Sequence, residues 1–212
     1  MRRQLRLISI STLLLAIAPA TALAAEAKVL PGTAGTTLAG KSAGVTLQIK
    51  GGASISCKSS ETTGEITSTT HGSGTTTWKG CTTAGLPVNS VGASSGTIIG
   101  PWLYLACIIS GLGHDYCYKY FWDTFILLQV PSTKLTLEVK GGFLSEVTPV
   151  EKKVTSLTLI TTQKEGKQSL ETPEGGEATR IEVSTDGGSF VQAGIELKES
   201  TLSLGASEEI MM

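Results

Sequence analysis

Alternating apolar and polar positions dominate this chain from about residue 45 onward. Val45, Leu47 and Ile49 alternate with Thr46, Gln48 and Lys50. Gly51-Gly52 then turns the chain, and Ala53 to Lys58 alternates again. A period of two places successive side chains on opposite faces, so this is a hairpin signature. Two Thr-rich runs follow between Thr62 and Cys81, around His71-Gly72-Ser73-Gly74. Threonine is a good strand former because its branched Cβ suits a pleated surface. Ile55, Ile66 and Trp78 supply the apolar face, so strands are expected here in preference to a glycosylated stalk.

Leu86 to Gly100, with Pro87, Gly92 and Gly96, reads as irregular. Trp102 to Ile109 is continuously apolar, is too short to span a bilayer, and fits a buried strand or short buried helix. His114-Asp115 reads as a turn, and Phe125 to Val130 as a second buried-type run. Beyond Pro131, Leu135, Leu137 and Val139 alternate with polar residues, and Gly141-Gly142 is expected to turn. Val154 to Thr162 is another strand, Asp186-Gly187-Gly188 marks a hairpin, and Leu197 to Leu204 is placed to close the sheet. No run of ten or more residues after the leader has a 3.6-residue period. The expected fold is all-β: a two-sheet sandwich or jelly-roll-like domain of short strands with Gly turns, stabilised by disulfides.

The first 24 residues are expected to lie outside that domain. Arg2, Arg3 and Arg6 precede an apolar stretch from Leu7 to Ala18, Pro19 breaks it, and Ala22-Leu23-Ala24 fits a signal-peptidase site. The mature chain, 25–212, is then one β-rich domain with an aromatic, Cys-containing insertion at about 101–125 and a candidate sub-boundary near Pro131. Leu30-Pro31-Gly32-Thr33-Ala34 imitates a sortase signal at the wrong end of the chain. Glu208 to Met212 offers no membrane anchor, so a secreted, extracellular protein is expected.

Charge narrows the partners. Three of the 17 Lys and Arg residues sit in the leader and none of the 18 Asp and Glu residues does, which leaves the mature chain at −4. Nucleic acid and anionic membranes need clustered cations, so neither is expected. The lone asparagine, Asn89, precedes Ser90-Val91, which excludes N-glycosylation. Four cysteines in an exported chain suggest two disulfides, with three connectivities open. Cys57–Cys81 and Cys107–Cys117 are favoured because each pair brackets one local segment, and a loop of ~25 residues, once closed, stabilises by roughly 3 kcal/mol.

The motifs Gly52-Ala53-Ser54-Ile55-Ser56-Cys57 with Cys81, Leu135 to Gly141, and Thr148-Pro149-Val150 stand out. So do Gly166-Lys167-Gln168 and Asp186-Gly187-Gly188 through Gln192-Ala193-Gly194. Together they resemble a family of secreted β-rich proteins of soil actinobacteria with no established activity. The likeness spans most of 44–210, is weakest at Pro101–Trp122, and implies export and a β fold. It implies no catalytic residue and no substrate.

Chemistry along the chain is sparse. His114 with Ser110 nearby forms no triad signature, and the carboxylates Asp123, Glu138, Glu146 and Glu151 make no recognisable pair. Cys107, His114 and Cys117 are metal-ligand types at the wrong spacing, and no cofactor motif is present, so neither metal nor cofactor is expected. The informative feature is aromatic. Eight of eleven aromatic residues lie between Trp102 and Phe125. On an extended strand Tyr116, Tyr118, Tyr120 and Trp122 share one face. Those rings would form the core, a stacking platform for a cell-wall polymer, polysaccharide or protein, or a membrane-interface wedge. The expected role is therefore an exported, non-catalytic binding or structural protein. The alternative is a secreted hydrolase built on His114 or a carboxylate pair.

Overall fold

A computed structural model describes residues 33–109, 115–149, 153–172 and 177–209, with the side chains of all of these except 105–109, 115–119, 123–124 and 207–209. Residues 1–32, Ser110 and His114 lie outside the described residues. The elements are all strands: β1 (Thr37–Ser42), β2 (Gly44–Ile49), β3 (Ser54–Cys57), β4 (Ser59–Ile66), β5 (His71–Lys79), β6 (Thr82–Thr83), β7 (Leu86–Pro87), β8 (Asn89–Ser90) and β9 (Thr97–Ile109). There follow β10 (Asp115–Val130), β11 (Leu135–Thr148), β12 (Lys153–Thr161), β13 (Gln163–Lys164), β14 (Lys167–Gln168), β15 (Ile181–Thr185) and β16 (Val191–Glu209).

Eight strands close on themselves in the order β1-β4-β5-β9-β10-β11-β12-β16, and β16 returns to β1 through Leu38↔Leu204, Ala39↔Ser203, Gly40↔Leu202 and Lys41↔Thr201. Every junction is antiparallel. The all-β expectation holds, but the sandwich expectation is corrected to a barrel. The reason is register. Pairing between strands at opposite ends of the chain leaves no local trace, because period-2 alternation is identical in an open and a closed sheet.

The long strands serve two layers. Gly44–Ile49 pairs with Gly44-facing Lys198 through Ile49-facing Ala193 on the first half of β16, and β2 then carries β3 and β6. On the other side β15 bridges β16 and the first half of β11. The barrel thus stands on a curved sheet made from the other ends of its own strands. Two irregularities allow the change of partner. Strand β10 shifts register between Trp122 and Ile126. Strand β11 continues through Gly141-Gly142, where a turn was expected; Gly141 has φ +89 and pairs with Ile181 of β15, and β12 takes over from Glu146. A Cβ at Gly141 would collide with the Arg180 carbonyl oxygen, so the backbones approach there as only glycine permits.

Leu86 to Gly100, read as irregular, carries β7, β8 and the start of β9, while several other local expectations hold. Gly51-Gly52 joins β2 to β3, and Asp186-Gly187 turns β15 into β16 with φ of 50 and +72, the left-handed pair typical of a tight hairpin. Pro131–Lys134 is the turn of the β10–β11 hairpin. Cys57 and Cys81 form a disulfide that ties β3 to the chain leaving β5. Cys107 and Cys117 face each other in the β9–β10 register; their sulfur atoms lie outside the described side chains.

Candidate functional site

Eight strands make a barrel whose interior is just wide enough for side chains to fill. Here the filling is aromatic. Trp102 and Tyr104 enter from β9, Tyr120 and Trp122 from β10, and Phe143 from β11. Their ring centroids form a continuous series: Tyr104 to Trp102 at 5.7 Å, Trp102 to Tyr120 at 5.7 Å, Tyr120 to Phe143 at 5.2 Å and Phe143 to Trp122 at 6.1 Å. Offset and edge contacts at such distances add to the area each ring buries.

Opposite the rings the wall is made of residues with little or no side chain. A Cβ at Gly64 or Gly74 would stand 3.0 or 2.6 Å from Trp102 Cζ2, and one at Gly72 would overlap the Tyr104 ring. Gly100 makes the same room for Trp78 and Ile126. Gly72 and Gly74 were legible only as part of the His71–Gly74 segment between two Thr-rich runs. Their alternation with Thr76 and Trp78 was the available signal, since a glycine at every second strand position marks a seat for something large. Further along the wall, Thr62 Oγ1 lies 2.8 Å from Thr76 Oγ1, and the buried Ser145 and Thr161 hydroxyls bond to each other.

A cavity of about 50 Å³ remains inside, lined by Ser60, Thr62, Thr76, Trp102, Tyr120 and Phe143 among others. A second gap of about 40 Å³ lies among Val45, Leu47, Ile55, Leu128 and Val139 in the lower layer. Trp78, Trp122 and Ile195 line both and so partition the interior. Burial raises the Tyr120 pKa, with the neighbouring Tyr104 adding to the effect. The lumen is thus an environment that resists charge.

Of the four residues predicted as a binding face, Tyr120 is 8% exposed and belongs to the core, and Trp122 is half-buried against it. The side chains of Tyr116 and Tyr118 lie outside those described. The same strand's other face is what meets solvent. Phe125 is 54% exposed and Leu127 37%, although the run from Phe125 to Val130 was read as wholly buried. Next to them, the Val91 N–H donates to the Leu127 carbonyl at 3.2 Å. Ser90 exchanges hydrogen bonds with the Ile99 backbone at 2.9 and 3.2 Å. Val91, at 56% exposed, and Ile99, at 44%, therefore extend the apolar surface across β8 to β9. Elsewhere the barrel's outer face carries Lys41, Glu61, Thr63, Glu65 and Lys79, with Lys79 Nζ 2.6 Å from Glu61 Oε2.

The catalytic alternatives gain little. Ser110 and His114 lie outside the described residues, as do Glu151 and the Asp123 side chain. Glu138 and Glu146 are both on β11, eight positions and on the order of 25 Å apart along an extended strand, beyond the reach of a glycosidase pair. The other histidine, His71, has its Nδ1 2.8 Å from Thr70 Oγ1 and 3.1 Å from Ser68 Oγ. Ser68 Oγ also accepts the backbone N–H groups of Thr70 and His71, so this cluster caps a turn. No group of three or more His, Cys, Asp or Glu side chains is placed to hold a metal among the described residues.

No family model, no curated protein and no solved structure matches the chain.

Proposed function

We propose that this is an exported, non-catalytic binding protein that docks onto another protein through the apolar patch formed by Val91, Ile99, Phe125 and Leu127. The observation that carries the reading is the grouping of these four exposed side chains where β8 joins β9 to β10. Export, and kinship with the secreted β-rich family resembled above, belong to the same proposal. They are supported by the leader sequence and by the Cys57–Cys81 disulfide, which suits an oxidising compartment.

A protein partner is favoured over a polysaccharide. Sugar rings are recognised by flat aromatic faces, and Trp102, Tyr104 and Tyr120 are turned inward. The exposed patch is mostly branched aliphatic, a surface that matches the apolar side chains of another protein. Association by open sheet edges, as in a coat protein, is disfavoured, because each of the eight barrel strands is paired on both sides.

The test is co-sedimentation of the mature protein with cell-envelope material before and after protease treatment, beside insoluble polysaccharides and liposomes. A Phe125→Ser/Leu127→Thr variant runs in parallel. The expected result is pelleting with untreated envelope only, weakened at least tenfold in the variant. Pelleting that survives protease or follows a polysaccharide would replace the protein partner, and pelleting with none of these would remove the docking patch.

A further inference from the structure

Two polar atoms in the barrel lumen have no protein partner. The Trp102 and Trp122 indole Nε1–H groups are both buried, and neither finds an acceptor. Trp102 is only 6% exposed. An unmet donor in such a place costs roughly 1–3 kcal/mol, so a natural barrel is expected to supply an acceptor. Both indoles line the same cavity, together with the Ser60, Thr62, Thr76 and Ser200 residues, which bring hydroxyl groups, and the rings of Tyr120 and Phe143.

We propose that the lumen is a binding site for a small neutral molecule carrying a hydrogen-bond acceptor, held by the Trp102 and Trp122 indole N–H groups between aromatic walls. Each part of that description comes from the site. Two donors fixed on rings call for an acceptor oxygen, since indole can donate but not accept. The aromatic walls, and the burial that raises the Tyr120 pKa, disfavour an ion. The cavity, at about 50 Å³, exceeds the roughly 10–15 Å³ that one water needs, yet limits the guest to a few heavy atoms. A short amide, ketone or alcohol meets all three conditions. The site is separate from the outer patch, so either can fail without the other.

The chain has three tryptophans, Trp78, Trp102 and Trp122, and all three line this cavity. Their indole resonances therefore report on it directly. The experiment is a titration of the ¹⁵N-labelled mature protein with N-methylacetamide, followed by the three indole N–H cross-peaks, with tetramethylammonium as a charged control. The expected result is saturable movement of the Trp102 and Trp122 peaks, a smaller response at Trp78, and no saturable response to the cation. A Trp102→Phe variant keeps a ring and removes one donor, and its apparent affinity is expected to fall about tenfold, the equivalent of one lost hydrogen bond. Thr76→Val, which keeps all three indoles, gives a second reading should Trp102→Phe not fold. In it the Trp102 and Trp122 peaks are expected still to move saturably with the amide, at an affinity within about threefold of the native protein, and a loss of saturation there would also overturn the proposal. Linear, non-saturating shifts, or equal movement of all three peaks, would overturn the proposal. So would indole protons that exchange magnetisation with water and ignore the amide, for then the lumen is a water site.

Discussion

The two faces of β9 and β10 use the same residue types to opposite ends. Inward, Trp102, Tyr104, Tyr120, Ile126 and Leu128 fill the barrel; outward, Ile99, Phe125 and Leu127 meet solvent. Hydrophobicity does not distinguish them. What does is the opposing wall. Trp102 is seated against Gly64 and Gly74 and Tyr104 against Gly72, whereas Ile99, Phe125 and Leu127 are exposed. An apolar side chain stabilises a fold only when something is shaped to receive it.

The largest break in that comparison should come from emptying a seat. Tyr104→Ala is expected to destabilise by about 4 kcal/mol in denaturant unfolding, because a fully buried ring leaves a cavity that the β framework cannot collapse to fill. Filling a seat should cost somewhat less. Gly72→Val forces a branched side chain into the Tyr104 ring and is expected to cost about 2–3 kcal/mol. Ser73→Val, one position along on the outer face, should change stability by no more than about 0.5 kcal/mol. If the two valines behaved alike, the assignment of inside and outside at β5 would be wrong.

Alkali should separate the faces by charge. The Tyr120 pKa is raised in the folded state above its ordinary value of 10.0. The stabilisation tied to its protonated form is therefore complete below pH 10 and is lost as pH rises from there toward the folded value. Unfolding monitored from pH 8 to 12 is expected to show a drop in the native protein that is smaller in Tyr120→Phe. An identical drop in both would assign the alkaline sensitivity to other groups. The smallest expected effect is outside. Phe125→Ser should alter the unfolding midpoint by no more than about 0.5 kcal/mol equivalent, since that ring buries little, while still weakening envelope binding. A large loss of stability would make Phe125 part of the core and remove it from the docking surface.

Much of this architecture was legible along the chain. The hairpins at Gly51-Gly52 and Asp186-Gly187, the Cys57–Cys81 pairing and the closing role of Leu197–Leu204 follow from local chemistry: a period of two, left-handed turn residues and short loop closure. Gly141-Gly142 misled because two glycines look the same whether they end a strand or let it bend between two partners. The aromatic row misled in another way. Alternation on β10 correctly places Tyr120 and Trp122 on one face, but which face is inside depends on the closure of the barrel by Leu38↔Leu204, each more than 80 residues from Tyr120 along the chain.

The sequence by itself determined that this protein is made of strands, where most of them turn, and which residues share a side of each. Those properties depend on φ preferences and on a two-residue repeat, which a few neighbouring positions define. The tertiary structure alone decided that the sheet closes, that the rings lie within it against glycines, and that two indole donors meet in one cavity. Those properties depend on register between distant segments, and register is set by the fit of whole surfaces, which no local window of the chain contains.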